Sequence, residues 1–164
     1  NVEYLEKVVR RLLQREEDLK EYYSSVLSAF ELDDGHFLHK EDKSFFEKMM
    51  QIIDSHIQNT DLSVELLSSS LGYSTRQFYR KLKNVTEKTP ADIIREYRLT
   101  IVERLLLTTQ LSIEEIMDKT GFSNRGTFYK AFAQKFEMTP KQYRNIKTKD
   151  VHDASEEGGG TMNV

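Results

Sequence analysis

The sequence has no cysteine and no tryptophan, and it has only two prolines and seven glycines among 164 residues. Without cysteine the chain has neither a disulfide framework nor a thiolate metal site, which suits a reducing, cytoplasmic location. No apolar run approaches the roughly 18 residues that span a bilayer, so we expect no membrane contact from this stretch. It also lacks a Gly-rich phosphate loop, a metal-ligand cluster and a nucleophile–base pair, so we expect neither a cofactor nor an enzymatic activity.

Charge is distributed unevenly along the chain, although the net charge is only −3 and the pI is 5.9. Residues 1–41 carry 6 basic and 10 acidic side chains, a balance of −4. Residues 62–147 carry 15 basic and 9 acidic side chains, a balance of +6. Such asymmetry indicates that a part of the chain that binds a polyanion is joined to parts with another task.

One stretch of the chain occurs twice. Residues 72–90, GYSTRQFYRKLKNVTEKTP, recur over residues 121–140 as GFSNRGTFYKAFAQKFEMTP. The offset between the copies is 49 before the glycine and 50 from Phe78 onward, which indicates one inserted residue after the second Gly-aromatic-Ser. Two copies are too few for a solenoid, so we interpret them as a duplicated supersecondary unit.

Each copy predicts two short helices separated by a turn. In the first copy Ser63 is a good N-cap, Gly72 ends the helix, and Ser74 with Gln77 forms a capping box that starts the next one. In the second copy Ser112 and Glu115 form a capping box that starts the first helix, Gly121 ends that helix, and Ser123 starts the next one. Two capped helices with a glycine between them are typical of a helix-turn-helix.

Basic residues concentrate on the second helix of each unit. They are Arg76, Arg80, Lys81 and Lys83 in the first copy, and Arg125, Lys130 and Lys135 in the second. The acids lie on the preceding helices instead, at Glu65, Glu114, Glu115 and Asp118. This segregation favours a helix that approaches DNA phosphates and enters a major groove.

The same helices have two faces. Phe78 with Leu82, and Phe128 with Phe132, are four residues apart and are predicted to point inward. The opposite face carries Arg76, Tyr79, Arg80 and Lys83 in the first copy, and Arg125, Tyr129 and Lys130 in the second. Arginine forms a bidentate pair with guanine O6 and N7, so we expect Arg76 and Arg80 to contact DNA. For the two tyrosines, DNA contact and packing on the core are equally compatible with the pattern.

A long helix is predicted between the copies, from Thr89-Pro90 to about Thr108. At 1.5 Å per residue it is roughly 27 Å long, which suits two helices in successive major grooves of one DNA duplex. A helix over residues 44–58 precedes the first copy, and Thr139-Pro140 opens a last helix. Residues 149–164 are acidic and Gly-rich, so we expect a disordered tail.

The first thirty residues carry an apolar heptad repeat with one polar break at Glu16. The apolar members are Val2, Leu5, Val9, Leu12, Leu19, Tyr23, Val26 and Phe30. One interpretation is a coiled coil that forms a homodimer, and the other is an amphipathic helix that packs on its own domain. Because this helix lies far from the basic region in sequence, we favour the dimer over packing on its own domain. Residues 31–43 are predicted to be a linker, with His36 and His39 solvated rather than bound to a metal.

Residues 45–147 resemble the AraC-type DNA-binding domain of bacterial transcription activators. The matching residues are Leu66, Gly72-Tyr73-Ser74, Phe78 and Leu82, Thr89-Pro90, Arg98-Leu99, Leu105-Leu106, Ile113 and Ile116, Gly121-Phe122-Ser123, Phe128 and Phe132, Thr139-Pro140 and Tyr143-Arg144. The resemblance implies an all-α fold over residues 44–148, in which a linker helix joins two helix-turn-helix units. It also implies that double-stranded DNA and RNA polymerase are partners.

By this resemblance the base-facing residues are Arg76, Tyr79 and Arg80 in the first unit, and Arg125, Gly126, Thr127, Tyr129 and Lys130 in the second. Two features depart from the family pattern. Glu87 and Glu137 stand before the Thr-Pro pairs, where members usually have glycine, and Gly126 offers no side chain where members often have one.

The N-terminal helix is similar to the one that leaves a receiver domain in hybrid two-component regulators, through residues 12–16 (LLQRE) and 22–25 (YYSS). This similarity implies an output domain preceded by a receiver with its phosphorylatable aspartate. The whole protein would then be cytoplasmic, or this chain would be the cytoplasmic part of a larger membrane-bound regulator. A hypothesis of another class is a helical adaptor whose basic helices bind acidic proteins.

Overall fold

The computed structural model describes the backbone of residues 1–157 and the side chains of residues 1–150. Within this range the chain forms eight α-helices and no strand, which confirms the predicted all-α class. The helices are α1 (Val2–Asp34), α2 (Lys40–Ser55), α3 (Val64–Ser70), α4 (Thr75–Lys83), α5 (Pro90–Thr108), α6 (Ile113–Thr120), α7 (Arg125–Phe136) and α8 (Pro140–Glu157). None of the described helices combines the length and apolar character needed to traverse a lipid bilayer.

The chain divides into two compact units, and each contains one copy of the repeat. Unit 1 comprises Asn1–His56 and Asp61–Ile94, with the α3–α4 pair inside it. Unit 2 comprises Ile57–Thr60 and the chain from Arg95 onward, with the α6–α7 pair inside it. The boundary falls within α5, so this helix begins in unit 1 and ends in unit 2. Each copy of the sequence repeat therefore belongs to its own compact unit.

The core of unit 1 forms where α2, α3 and α4 meet. Phe46, Met49 and Leu67 are fully buried there, as is Phe78 on the inward face of α4. The ring of Phe45 meets the ring of Phe78 edge-on, with 5.7 Å between the centroids. These contacts fix the side of α4 that faces the core and so leave its basic side in solvent.

Unit 2 repeats this arrangement around an aromatic core. Its buried members are Leu99, Val102, Leu106, Ile116, Met117, Phe128, Ala131, Phe132 and Tyr143. The Tyr143 hydroxyl donates a hydrogen bond to Glu103, and burial together with this carboxylate raises the pKa of Tyr143 to about 12. Arg144 donates to the backbone oxygens of Leu106 at 3.0 Å and Leu111 at 2.7 Å, which ties α8 to the unit.

The predicted linker and tail were both wrong in extent, and the helix predicted over residues 44–58 is Lys40–Ser55. The linker predicted over residues 31–43 is confined to residues 35–39, because α1 continues to Asp34 and α2 begins at Lys40. Gly35 ends α1 in a left-handed conformation with φ 67°, and Glu41 and Asp42 in the first turn of α2 complement its dipole.

The second correction concerns the tail, where α8 runs to Glu157 and residues 149–157 are helical rather than disordered. No glycine or proline interrupts residues 141–157, so the helix has no internal stop. The remainder of the predicted tail, residues 158–164, lies outside the described residues.

The two halves of α1 have different surroundings. Leu19, Val26 and Leu27 are at most 9% exposed and pack inside unit 1, where α1 contacts α2, as the packing interpretation predicts. Arg15 anchors the middle of the helix through Asp54, with 2.9 Å between the guanidinium Nε and the carboxylate Oδ1. The first half instead exposes a row of apolar side chains, with fractional exposures between 46% and 73%: Val2, Leu5, Val9 and Leu12.

Candidate nucleic-acid interface

The turn between α3 and α4 forms through local capping, as predicted. The Ser63 hydroxyl accepts from the Leu66 amide at 3.2 Å and starts α3. Gly72 follows the end of α3 with φ +79°, the left-handed region that glycine adopts without strain. The Ser74–Gln77 capping box then starts α4 through reciprocal bonds of 3.0 and 3.2 Å. These short-range bonds fix the direction in which α4 leaves the turn.

The outer face of α4 presents basic side chains to solvent. Arg76, Arg80 and Lys83 are exposed and make no ion pair among the side chains of residues 1–150. The helix has no acid in its first turn. Lys81 differs, because its ammonium lies 5.2 Å from the centre of the Tyr73 ring and so packs back against unit 1. The face therefore offers three cations whose charge no neighbouring carboxylate neutralises.

The α6–α7 turn uses the same chemistry in a tighter setting. Ser112 and Glu115 form the predicted capping box with two bonds of 3.1 Å, and Gly121 ends α6 with φ +79°. A Cβ atom added at Gly121 would lie 2.2 Å from the Ile57 backbone oxygen and 2.8 Å from Nη2 of Arg98. At Gly72 the same atom would meet nothing within 4 Å. Only the second glycine is thus enclosed by neighbouring atoms.

The start of α7 differs from the prediction by one residue. Its N-cap is Asn124 rather than Ser123, and the Asn124 side-chain oxygen accepts from the Thr127 amide at 2.8 Å. The inserted residue lengthens the turn, and asparagine caps as well as serine does. Asn124 is therefore the counterpart of Ser74, and Gly126 takes the helix position that Arg76 has in α4.

The outer face of α7 offers less free charge than that of α4. Gly126, Thr127 and Lys130 are exposed, whereas Tyr129 is half-buried. Nη1 of Arg125 lies 2.8 Å from a carboxylate oxygen of Glu114, and Nη2 lies 3.5 Å from the Tyr129 hydroxyl. The residues predicted on α4 thus lie on the outer side of unit 1, and those predicted on α7 lie on the outer side of unit 2. Arg125 differs from the others because Glu114 pairs with its charge.

The role of Glu114 was not predicted, since the sequence marked it only as an acid on the helix before α7. It occupies the second position of α6, and the turn brings it to an arginine 11 residues later. Spacing alone could not have identified the pair, because Glu65 and Arg76 in the first copy are also 11 residues apart and form no ion pair within residues 1–150.

The two tyrosines both contact core rings. Tyr79 meets Phe78 edge-on at 6.1 Å between centroids, and Tyr129 meets Phe128 at 5.5 Å. Tyr79 nevertheless stays 43% exposed, whereas Tyr129 packs partly against the core of unit 2. One part of each tyrosine ring therefore packs on the core, as one of the two interpretations predicts. A DNA contact by either hydroxyl stays a prediction.

Comparison with known proteins gives a family model described as a helix-turn-helix domain, which matches residues 67–146. Regulatory protein SoxS of Escherichia coli is 30% identical over 103 residues, covering 63% of this chain and 95% of SoxS. Histidine kinase P4 of Formosa agariphila is 34% identical over 104 residues, covering 63% of this chain. The chain spans only 8% of that kinase.

A solved structure has a similar fold. It is the C-terminal domain of the two-component response regulator yesN from Fusobacterium nucleatum, with a TM-score of 0.55 and 28% sequence identity. The similarity covers 60% of this chain and 95% of that domain.

Proposed function

The chain belongs to the AraC family of helix-turn-helix transcription regulators, and from this premise we propose that it binds specific double-stranded DNA through α4 and α7. The observation that carries the proposal is the outer face of α4, where Arg76, Arg80 and Lys83 are exposed and unpaired within the described chain. Three such cations on one short helix suit a polyanion, because each phosphate contact releases a condensed counterion.

In this proposal each helix has a separate task. Arg76 and Arg80 of α4 contact base edges, since a guanidinium pairs with two acceptors of guanine, and Lys83 contacts phosphate. Tyr79, which is 43% exposed, contacts a phosphate or a thymine methyl. In α7, Arg125, Thr127, Tyr129 and Lys130 face the DNA, and Gly126 lets the backbone approach it. We propose further that the two helices enter successive major grooves of one site.

We also propose that the first half of α1 forms a homodimer with a second copy of the chain. The support is its exposed row of Val2, Leu5, Val9 and Leu12, which lies at heptad spacing, while the second half of α1 packs on α2. Placing lysine at both Val9 and Leu12 should give monomers and weaken binding to paired sites. Sedimentation that shows one unchanged species for wild type and variant would contradict the dimer.

The similarity to a part of histidine kinase P4 and to a response regulator supports a role as the output part of a two-component protein. In that role α1 carries a signal from a receiver to unit 1, since its second half packs directly on α2. RNA polymerase is the proposed further partner of the DNA-bound protein.

The test of DNA binding is selection of sites from random duplex DNA, followed by titration at several salt concentrations. We expect two preferred blocks about 10 base pairs apart, with an affinity that falls steeply as salt rises. Binding to an acidic protein with no sequence enrichment in DNA would reject the proposal and favour the adaptor hypothesis instead.

A further inference from the structure

Three side chains form a cluster at the start of α7. The Arg125 guanidinium bonds to Glu114 at 2.8 Å and lies 5.3 Å from the centre of the Tyr129 ring. The arginine and glutamate side chains are 63% and 76% exposed, so the pair stands in solvent on the outer side of the unit. Arg125 is the first residue of α7, and the N-terminal residues of such a helix are those that contact base edges.

We propose that Glu114 is a specificity-determining residue that acts through Arg125, with guanine as the base that Arg125 contacts. This inference rests on the proposed DNA-binding function. Glu114 holds one edge of the guanidinium and Tyr129 supports its face, so the arginine is oriented before DNA arrives. Glu114 does not itself contact a base; it is a positioning residue.

The first effect of Glu114 is to reduce the entropy lost on binding. An arginine side chain has many rotamers, and fixing them on the DNA lowers affinity. A guanidinium held between a carboxylate and a ring has already lost much of that freedom. Preorganisation therefore favours the one base whose acceptors match the held orientation, and it gives little help at other bases.

The second effect is electrostatic and acts against non-specific binding. A phosphate has to compete with Glu114 for Arg125, and the carboxylate also repels the DNA backbone. Phosphate contacts provide nearly all non-specific affinity, so neutralising Arg125 in the free protein lowers this component most. Because the pair is exposed, each of these effects is modest, and a guanine can still engage the arginine.

Unit 1 supplies a matched control. Glu65 occupies the second position of α3, as Glu114 does in α6, and both helices begin with a serine N-cap. The carboxylate of Glu65 makes no ion pair within the described part of the chain. Thr75 stands at the first position of α4, where α7 has Arg125, and the neighbouring Arg76 does not pair with Glu65 in this structure. Glu65→Gln removes the same charge from the same kind of helix start without releasing an arginine.

The experiment compares Glu114→Gln with Glu65→Gln on the selected duplex and on a scrambled duplex of equal length. We expect Glu114→Gln to lower the ratio of specific to non-specific affinity by about 1.5-fold to fivefold, the range for one exposed pair. Its non-specific binding should also become steeper in salt, by about 0.9 in the log–log slope if one phosphate contact is gained. Glu65→Gln should leave the ratio unchanged.

A second background tests that the effect passes through Arg125. In an Arg125→Ala protein the preference at one guanine should be lost, and adding Glu114→Gln should change the ratio no further. The inference would be overturned if Glu114→Gln and Glu65→Gln gave the same ratio of specific to non-specific affinity. It would also be overturned if Glu114→Gln lowered this ratio as much in the Arg125→Ala protein as in the wild type. If the wild-type chain itself shows no preference between the duplexes, the proposed DNA-binding function fails. If the wild type shows a preference that Glu114→Gln does not change, only the inference about Glu114 fails.

Discussion

The two helix-turn-helix units share their caps and core but differ on the face turned to solvent. Both use a serine cap, a left-handed glycine and a buried Phe pair or Phe–Leu pair. Unit 1 then presents three cations on α4 that have no ion-pair partner among residues 1–150, whereas unit 2 has Gly126 in the place of Arg76 and pairs Arg125 with Glu114. The duplicated frame thus carries two different surfaces, and we assign most of the sequence preference to unit 1.

The turn glycines give the comparison with the largest expected effect. Gly121→Ala should destabilise the chain by about 3 kcal/mol or more, because it adds a collision with the Ile57 backbone oxygen to the left-handed strain. Gly72→Ala should cost only the strain, about 1–2 kcal/mol, since the space beside it is open. Urea denaturation followed by circular dichroism measures both, and equal losses would contradict the difference between the turns.

The second comparison concerns the basic residues at one shared helix position, Arg80 in α4 and Lys130 in α7. Arg80→Ala should cost about 1–3 kcal/mol of specific binding and relax the preference at one base pair. Lys130→Ala should weaken binding to all sequences alike and lower the salt slope by about 1. Titrations on the selected duplex and its single-base variants measure both changes. An Arg80→Ala protein with an unchanged preference would refute a base contact by this residue.

A third comparison adds to unit 2 the side chain that it lacks. Gly126→Arg gives α7 an arginine at the position of Arg76, and a Cβ atom there would lie 3.3 Å from the Asn124 side-chain oxygen, which needs only a small shift. We expect the salt slope to steepen by about 1 and non-specific affinity to rise. Gly126→Ala is the control for charge: it adds a methyl group but no cation, so the salt slope should not steepen as it does with arginine.

The smallest expected effect concerns the residues before the two Thr-Pro pairs. Glu137 has φ 60°, the left-handed region that is unfavourable for a side chain, whereas Glu87 does not have a positive φ. Glu137→Gly should therefore stabilise the chain by about 0.5–1 kcal/mol in thermal unfolding, and Glu87→Gly should not. A gain for both variants, or for neither, would contradict this explanation of the family's glycine.

Most of the fold could be predicted because it depends on neighbours close in sequence. Capping boxes such as Ser74–Gln77 and stops such as Gly121 act within four residues, and the i, i+4 pairs fix the buried faces. The start of α7 was wrong by one residue, because the inserted residue left two adjacent caps to choose from, Ser123 and Asn124. The repeat alone gives no reason to prefer the second of them.

The candidate site was predicted as a set of residues but not as a set of interactions. The pairing of Glu114 with Arg125 depends on the direction of the turn, which a single sequence does not specify. The same limit applies to α1. Its heptad repeat is the same in the first half, where Val2 and Leu5 are exposed, as in the second half, where Leu19 and Val26 are buried. Tertiary packing decides between those environments.

The most direct test of the central claim is selection of binding sites from random duplex DNA by the wild-type chain and by Arg80→Ala in parallel. We predict two blocks of preferred bases for the wild type, the stronger of which loses its preference at one position in the variant. Lys130→Ala should leave that block intact. A wild type that enriches no sequence, or a stronger block that Arg80→Ala leaves unchanged, would contradict the assignment of sequence preference to unit 1.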